Sequence, residues 1–166
     1  MSALKHHIRD EEGQALVEFA LVLPVLALIL FSVVHFGKAF NYWNDATHLT
    51  AEAARFAAVN RKPDLANAAT LQQQIKNQVD SAELKNGTGS VTQAAQVCVD
   101  FPNGTTNGGD PVRVTLTFKY AWIPLIRDGI GKPLLKNGIG VPDTTVTSTT
   151  VMRLETPPTN YTAGCA

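Results

Sequence analysis

The chain of 166 residues has no excess of charge of either sign, because 14 Lys and Arg side chains balance 14 Asp and Glu side chains. A neutral chain has no overall field that would attract nucleic acid or an anionic surface. The sequence also has no basic cluster interleaved with aromatic residues, and aromatics make up only 7% of the chain. We therefore predict that nucleic acid is not a partner.

Cysteine and histidine are too few and too scattered to indicate chemistry. Cys98 and Cys165 are the only cysteines, and they lack the C-x-x-C spacing of zinc and redox motifs. The four histidines have neither metal-ligand spacing nor a nucleophile beside them. We predict a protein that is not an enzyme, with no metal, cofactor or small-molecule substrate. Outside the cytosol a Cys98–Cys165 disulfide is allowed, worth about 4 kcal/mol by loop entropy; two free thiols are the alternative.

What the sequence does contain is a long apolar run near its start. Between Ala15 and Phe36 the only ionisable side chains are Glu18 and His35. As a helix this stretch is about 33 Å long, close to the roughly 30 Å hydrocarbon core of a bilayer. The run therefore predicts a membrane partner, with residues 14–37 as a transmembrane helix.

Three interpretations of this run compete. A secretory signal has an apolar core of ~7–15 residues followed by a small-x-small cleavage site, but this run is longer and its exit after Val34 offers no such site. A plain membrane anchor explains the length and leaves Glu18 unexplained. The third interpretation places cleavage after Gly13, ahead of the apolar run, so that the helix stays in the mature protein.

Glu18 needs an explanation because an acidic residue at the centre of a membrane helix costs ~2.5–3.5 kcal/mol, and less near the interface. After cleavage at Gly13, the new amine of Gln14 would lie one helical turn from this carboxylate. It could pair with Glu18 in the same chain or in a neighbour. The alternative is an interfacial charge at headgroup level. Pro24 removes a backbone hydrogen bond from the same helix, so a kink or a short melted turn is expected there.

Residues 38–60 predict an amphipathic continuation of this helix. A polar stripe and an apolar stripe run side by side along it at helical spacing. We expect core packing for the apolar stripe, which Phe40 and Trp43 widen at its membrane end, and solvent for the polar one. The helix should end before Pro63. The polar stripe is Lys38, Asn41, Asp45, His48, Glu52 and Arg55, and the apolar stripe is Ala39, Tyr42, Ala46, Leu49, Ala53 and Phe56.

Residues 61–166 predict a separate α+β domain. From Leu65 to Leu84, apolar residues recur at helical spacing and predict a second helix, which ends at the Lys85-Asn86-Gly87 turn signal. Alternating or Thr/Val-rich stretches predict a small antiparallel sheet of about three strands packed on the outer half of the long helix. These stretches are Val97–Phe101, Val112–Tyr120 and Thr144–Leu154, with a long hairpin loop between the first two.

Two loop patterns carry weaker signals. The stretch from Asp100 to Asp110 offers side-chain oxygens but lacks EF-hand spacing, so turn chemistry is preferred to calcium binding. Gly129–Pro133 fails both glycine fingerprints of phosphate-binding loops. Gly138–Pro142 repeats its Gly-Ile-Gly pattern, and no purpose can be assigned to the pair.

The N-terminal sequence resembles the TadE-like minor pilins, or pseudopilins, of tight-adherence (Tad) pili, within the type IV pilin superfamily. The resemblance lies in Gly13–Pro24, Phe36–Asn41 and Glu52–Val59, and the C-terminal layout supports it. It implies a single-pass protein of the bacterial inner membrane. Residues 1–13 would be a cleaved cytoplasmic leader, and the α+β domain would lie in the periplasm, or outside the cell after pilus assembly.

The resemblance also implies roles for particular residues. A prepilin peptidase would cleave between Gly13 and Gln14, and Glu18 with Phe19 would serve processing and subunit registration. Major pilins of this system usually have Tyr where this chain has Phe19. The implied partners are other pilin subunits, the prepilin peptidase and the inner-membrane assembly platform. The implied function is a minor pilin incorporated through its N-terminal helix; the alternative is a permanently anchored periplasmic binding module that never enters a filament.

Overall fold

The computed structural model describes residues 2–63, 70–122 and 143–166, with side chains described from Gly13 onward. The chain divides into an N-terminal unit, Met1–Lys38, and a C-terminal unit, Ala39–Ala166. The predicted α+β class is confirmed. In chain order the elements are α1 Ser2–Ala58, α2 Leu71–Asn77, α3 Ala82–Asn86, β1 Val91–Asp100, β2 Pro111–Tyr120, β3 Thr144–Arg153 and β4 Gly164–Cys165.

Helix α1 is long because its sequence has no effective break before residue 60. The helix is continuous through Pro24, so the short melted turn expected there does not form. The kink at this position stays a prediction. The predicted stop is confirmed, since the helix ends at Ala58. Asn60 then adopts a φ of 49°, in the left-handed region that Asn tolerates better than most residues. Its Oδ1 accepts the backbone N–H groups of Thr159 and Asn160, which ties this turn to the C-terminal segment.

The strands of the described residues form an antiparallel sheet with the order β3-β2-β1-β4. β2 and β3 pair without a shift from Pro111–Arg153 to Tyr120–Thr144. β1 and β2 carry two register shifts between Val91 and Gln96, which are β-bulges. The expected count of about three strands is corrected to four, because a two-residue strand such as β4 has no alternation to read.

The core of the C-terminal unit lies between one face of the sheet and the second part of α1. The predicted alternation in β2 is confirmed, because its inward residues are at most 1% exposed. α1 contributes Tyr42 and Leu49 to this core, together with small residues such as Ala46 and Ala53. The inward residues of β2 are Val112, Val114, Leu116, Phe118 and Tyr120.

Phe40 and Trp43 do not join this core, and the expectation that they pack there is wrong. Their side chains are 55% and 50% exposed, whereas Tyr42 and Ala46 are buried. At about 100° per residue, Trp43 lies roughly 100° and Phe40 roughly 160° around the helix from Tyr42. Since the sheet covers only a stripe of the helix, both aromatics fall outside it.

The single second helix predicted over Leu65–Leu84 is also corrected. The described part of this stretch contains two short helices, α2 and α3, and residues 64–69 lie outside the described residues. Each helix has its own N-cap: the hydroxyls of Thr70 and Ser81 accept backbone N–H groups three residues further on. The predicted end at Gly87 is confirmed, since this residue caps α3 with a φ of 68°. The two Gly-Ile-Gly loops fall in residues 123–142, outside the described residues.

Candidate functional site

The residues that the resemblance singles out lie close together on α1. Gly13, Gln14, Glu18 and Phe19 are all exposed, and Phe19 is 64% exposed. Gln14 and Glu18 are four residues apart, so they lie on one face of the helix with one turn between them. A Cβ added at Gly13 would meet nothing within 4 Å, so there is open space where a side chain would project. The segment is an accessible helical surface rather than part of a packed core.

The helix beyond this segment has an apolar surface on every side. All fifteen large apolar side chains from Leu16 to Phe36 are between 47% and 70% exposed. A helix of this kind belongs in lipid or among other apolar helices, because a stripe facing one partner could not cover it. Within the described residues, one helix, Gly13–Ala58, is long and apolar enough to cross a membrane. The finding is consistent with a membrane anchor.

Polar groups inside the apolar stretch are few, and one of them finds a hydrogen-bond partner in its own helix. The Ser32 hydroxyl donates to the Leu28 carbonyl at 2.7 Å, which satisfies it within its own helix. This bond was not predicted, although a Ser inside a long apolar helix commonly donates to the carbonyl four residues earlier. Glu18 is different, because a carboxylate brings a charge that a helix backbone cannot satisfy. Its charge is the main chemical feature of the candidate site.

The two cysteines, whose pairing the sequence left open, form a disulfide that closes the C-terminal segment onto the sheet. They are opposite each other in the β1–β4 pair. Four residues before Cys165, the Tyr161 hydroxyl donates to the Ala57 carbonyl at 2.8 Å, and burial raises the pKa of Tyr161 to about 12. These contacts attach the end of the chain both to β1 and to the end of α1.

An open groove of about 450 Å³ runs along the outer side of the sheet beside the disulfide. The Arg113 Nε–H is shared between the two carboxylate oxygens of Asp100, at 2.9 and 3.1 Å, and Nη2 donates a further hydrogen bond to Asp100. Hydrogen bonding from Arg113 lowers the pKa of Asp100. The two charges satisfy each other, and the hydroxyls of Thr115 and Thr149 lie 3.3 Å apart, within hydrogen-bond distance of one another, so the groove presents a mainly apolar lining to a ligand. This ion pair was not predicted, because it depends on the register of β1 against β2.

For the stretch from Asp100 to Asp110, the sequence favoured turn chemistry over calcium binding, and its carboxylate oxygens bond to groups within the protein. Asp100 is occupied by Arg113, and Asp110 Oδ2 accepts the Asn107 N–H at 2.8 Å. Across residues 13–63, 70–122 and 143–166, no three His, Cys, Asp or Glu side chains are grouped so as to hold a metal ion.

The comparison with protein families agrees with the N-terminal geometry. Residues 13–55 match the family described as TadE-like protein. The match begins at the glycine of the candidate site, includes the whole apolar stretch, and ends within the part of α1 that packs on the sheet. It covers about a quarter of the chain and is consistent with a TadE-like Tad pilus protein. No curated protein and no solved structure matches the chain.

Proposed function

We propose that this protein is a minor pilin, or pseudopilin, of a tight-adherence type IV pilus. A prepilin peptidase cleaves it between Gly13 and Gln14, and the mature subunit enters the assembly through α1. One observation carries the proposal: within the stretch similar to TadE-like proteins, residues 15–36 are a helix with apolar side chains exposed on every side and a single carboxylate, Glu18, near its start.

The exposed apolar surface sets the mechanism. Burying each large apolar side chain is worth ~1.5–3 kcal/mol, so exposing the whole surface to water would cost on the order of tens of kcal/mol. The helix must therefore pass from lipid directly into contact with other apolar helices. Other pilin subunits supply those helices, and an inner-membrane assembly platform carries out the transfer.

Glu18 supplies the registration step in this proposal. In lipid its charge is unfavourable, and a cationic partner would relieve that penalty. Cleavage creates such a partner, because it turns Gln14 into an N-terminal amine. The amine of one subunit pairing with Glu18 of the next would set their relative height. Cleavage would thus prepare the helix for assembly as well as remove the leader.

The C-terminal unit fits a location outside the cytosol. Its disulfide joins Cys98 and Cys165, and disulfides persist in oxidising compartments such as the periplasm. We propose a single-pass orientation in the inner membrane with this unit in the periplasm.

N-terminal sequencing of the protein from its native host tests the processing step. We expect the mature chain to begin at Gln14, and Gly13→Ala to retain the leader. Gly37→Ala is the matched control, because a Cβ at either glycine would meet nothing within 4 Å. Its leader should be removed normally. An intact leader on the wild-type protein would contradict the proposal and favour the permanently anchored binding module.

Co-purification with pili tests the registration step. Glu18→Gln keeps the size of the side chain and removes its charge, so we expect a processed subunit that fails to co-purify with filaments. Glu52→Gln is the matched control, since Glu52 is an exposed acid on the same helix but in the C-terminal unit. Equal recovery of the two variants with pili would exclude the proposed role of Glu18.

A further inference from the structure

Phe40 and Trp43 form an exposed aromatic pair at the start of the C-terminal unit. Their rings meet edge to face, with centroids 6.0 Å apart and an angle of 76° between the planes. Both side chains are at least half exposed, although Tyr42 between them in sequence is buried. Two large aromatic rings left in water would be unfavourable, so this pair calls for a partner outside the C-terminal unit's own core.

The apolar exposure of α1 ends at Trp43. The exposed residues that follow it on the helix are polar or charged: Asn44, His48, Glu52 and Arg55. A continuous helix from Leu16 to Phe36 rises about 30 Å, which matches the hydrocarbon core of a bilayer. Beyond Phe36 the helix rises a further ~6 Å to Phe40 and ~10 Å to Trp43, whereas one headgroup layer is roughly 5–8 Å thick. Phe40 thus lies at the depth of one headgroup layer, and Trp43 lies at the outer edge of that layer.

We propose that Phe40 and Trp43 are an interfacial anchor that binds the lipid headgroup layer of the membrane crossed by α1. Aromatic rings are enriched at this depth, and an indole combines an apolar body with one N–H donor. The anchor sets how far α1 is drawn into the bilayer before assembly. The inference rests on the membrane-embedded helix of the proposed function, and it adds a second contact with the same membrane.

A helix of another subunit is the competing occupant, and the residue types favour lipid. Contacts between membrane helices are enriched in small residues that allow backbones to approach closely. This patch presents two of the largest side chains, next to Lys38, a residue type that commonly reaches towards headgroups. The second tryptophan, Trp122, shows the structural use of the same residue: its Nε1–H donates to Thr144 Oγ1 at 2.7 Å, and its ring packs against Tyr120.

The two tryptophans allow a direct test with the full chain in phosphatidylcholine bilayers. In Trp122→Phe, Trp43 is the only tryptophan, and we expect loss of its fluorescence with lipids brominated near the headgroup, and a smaller loss with lipids brominated near the chain end. The matched control is Trp43→Phe, in which Trp122 should lose no fluorescence with either lipid. If Trp122→Phe does not fold, the difference between wild type and Trp43→Phe supplies the same measurement.

The outcomes separate this inference from the membrane assignment. A chain that floats with the bilayers while Trp43 is quenched by neither lipid overturns the interfacial anchor and leaves the membrane helix in place. Trp43 is then in water if acrylamide quenches it, and against another protein chain if acrylamide does not. A chain that fails to float with the bilayers overturns the membrane helix and the anchor together.

Discussion

The two units of this protein place their apolar residues in opposite ways. The N-terminal unit exposes every large apolar side chain from Leu16 to Phe36, whereas the C-terminal unit buries an extensive core between α1 and the sheet. In its described residues, the large apolar side chains left exposed by the C-terminal unit are only Phe40, Trp43, Val59 and Val151. The N-terminal unit therefore needs apolar surroundings to cover its side chains, whereas the C-terminal unit covers most of its apolar side chains within its own core.

Helix α1 shows both arrangements, and its composition explains the change. In the first part, large apolar residues occupy all sides of the helix. In the second, small residues such as Ala46, Ala53 and Ala57 face the sheet and polar residues face outward. The same secondary structure thus becomes a membrane-type surface or a core element according to where the apolar side chains lie around its axis.

Charging the N-terminal unit should have the largest effect. Leu26→Arg combined with Ile29→Arg places two charges near the middle of the apolar stretch, at ~2.5–3.5 kcal/mol each on insertion scales. We expect most of the protein to become extractable from membranes by alkaline carbonate. As a control, His48→Arg with Glu52→Arg adds arginines to exposed positions of the C-terminal unit and should leave the protein in the membrane fraction. Equal extraction of both variants would mean that the apolar stretch does not hold the protein in the bilayer.

Truncating a core side chain should have the next largest effect, and only on the C-terminal unit. Phe118 is 1% exposed and packs edge to face against Tyr42. Phe118→Ala should lower the free energy of unfolding by about 3–5 kcal/mol. Urea unfolding of the full chain in detergent, followed by tryptophan fluorescence, measures this change. Val151→Ala, at a side chain that is 54% exposed, should change the free energy by less than about 0.5 kcal/mol. Similar losses for the two variants would contradict the described core.

Removing the disulfide should have a smaller and more local effect. Replacing Cys98 and Cys165 by Ser together should lower the free energy of unfolding by about 2–4 kcal/mol. Hydrogen exchange should rise in β1, β4 and the segment around Tyr161, with the apolar stretch of α1 unchanged. Unchanged exchange around Tyr161 would show that its bond to Ala57 holds the C-terminal segment without the disulfide.

The smallest expected effect is a pH dependence from Tyr161. Its pKa is about 12 in the folded protein, against 10.0 for the unperturbed phenol, because burial disfavours the charged form. Its contribution to stability is complete below pH 10 and is lost as the pH rises towards about 12. Unfolding midpoints across this range should fall less steeply for Tyr161→Phe than for the wild type. The variant should lose about 1 kcal/mol at pH 7 with its hydrogen bond to Ala57. Identical slopes would assign the alkaline instability to other groups.

Predictions from the sequence succeed where a feature repeats along the chain. The apolar run, the alternation in β2 and the end of α1 all follow from local spacing. The prediction over Leu65–Leu84 fails because helical spacing continues across the break between α2 and α3, where the Ser81 hydroxyl caps the start of a new helix. Capping is a property of single residues and leaves no trace in the spacing. Phe40 and Trp43 were predicted in the core because spacing shows that a helix is amphipathic but not how wide a stripe the sheet covers.

The same distinction between local patterns and long-range contacts applies to the candidate site. Gly13, Glu18 and the apolar run are visible in the sequence because each is recognised by its residue type and by its place along one helix. The contacts that hold the C-terminal unit together join residues far apart in the chain. Thr50 and Ser148, for instance, share a buried hydrogen bond of 2.9 Å between α1 and β3.

The sequence by itself determined that an apolar helical stretch follows Gly13, that an acid lies near the start of that stretch, and that an antiparallel sheet comes after it. These properties depend on residue type and spacing, which act between neighbours. Only the tertiary structure decided that Asp100 pairs with Arg113, that Cys98 bonds Cys165, and that Trp43 lies outside the core. Each of those outcomes depends on strand register or on which side of a helix is covered, and packing between distant segments sets both.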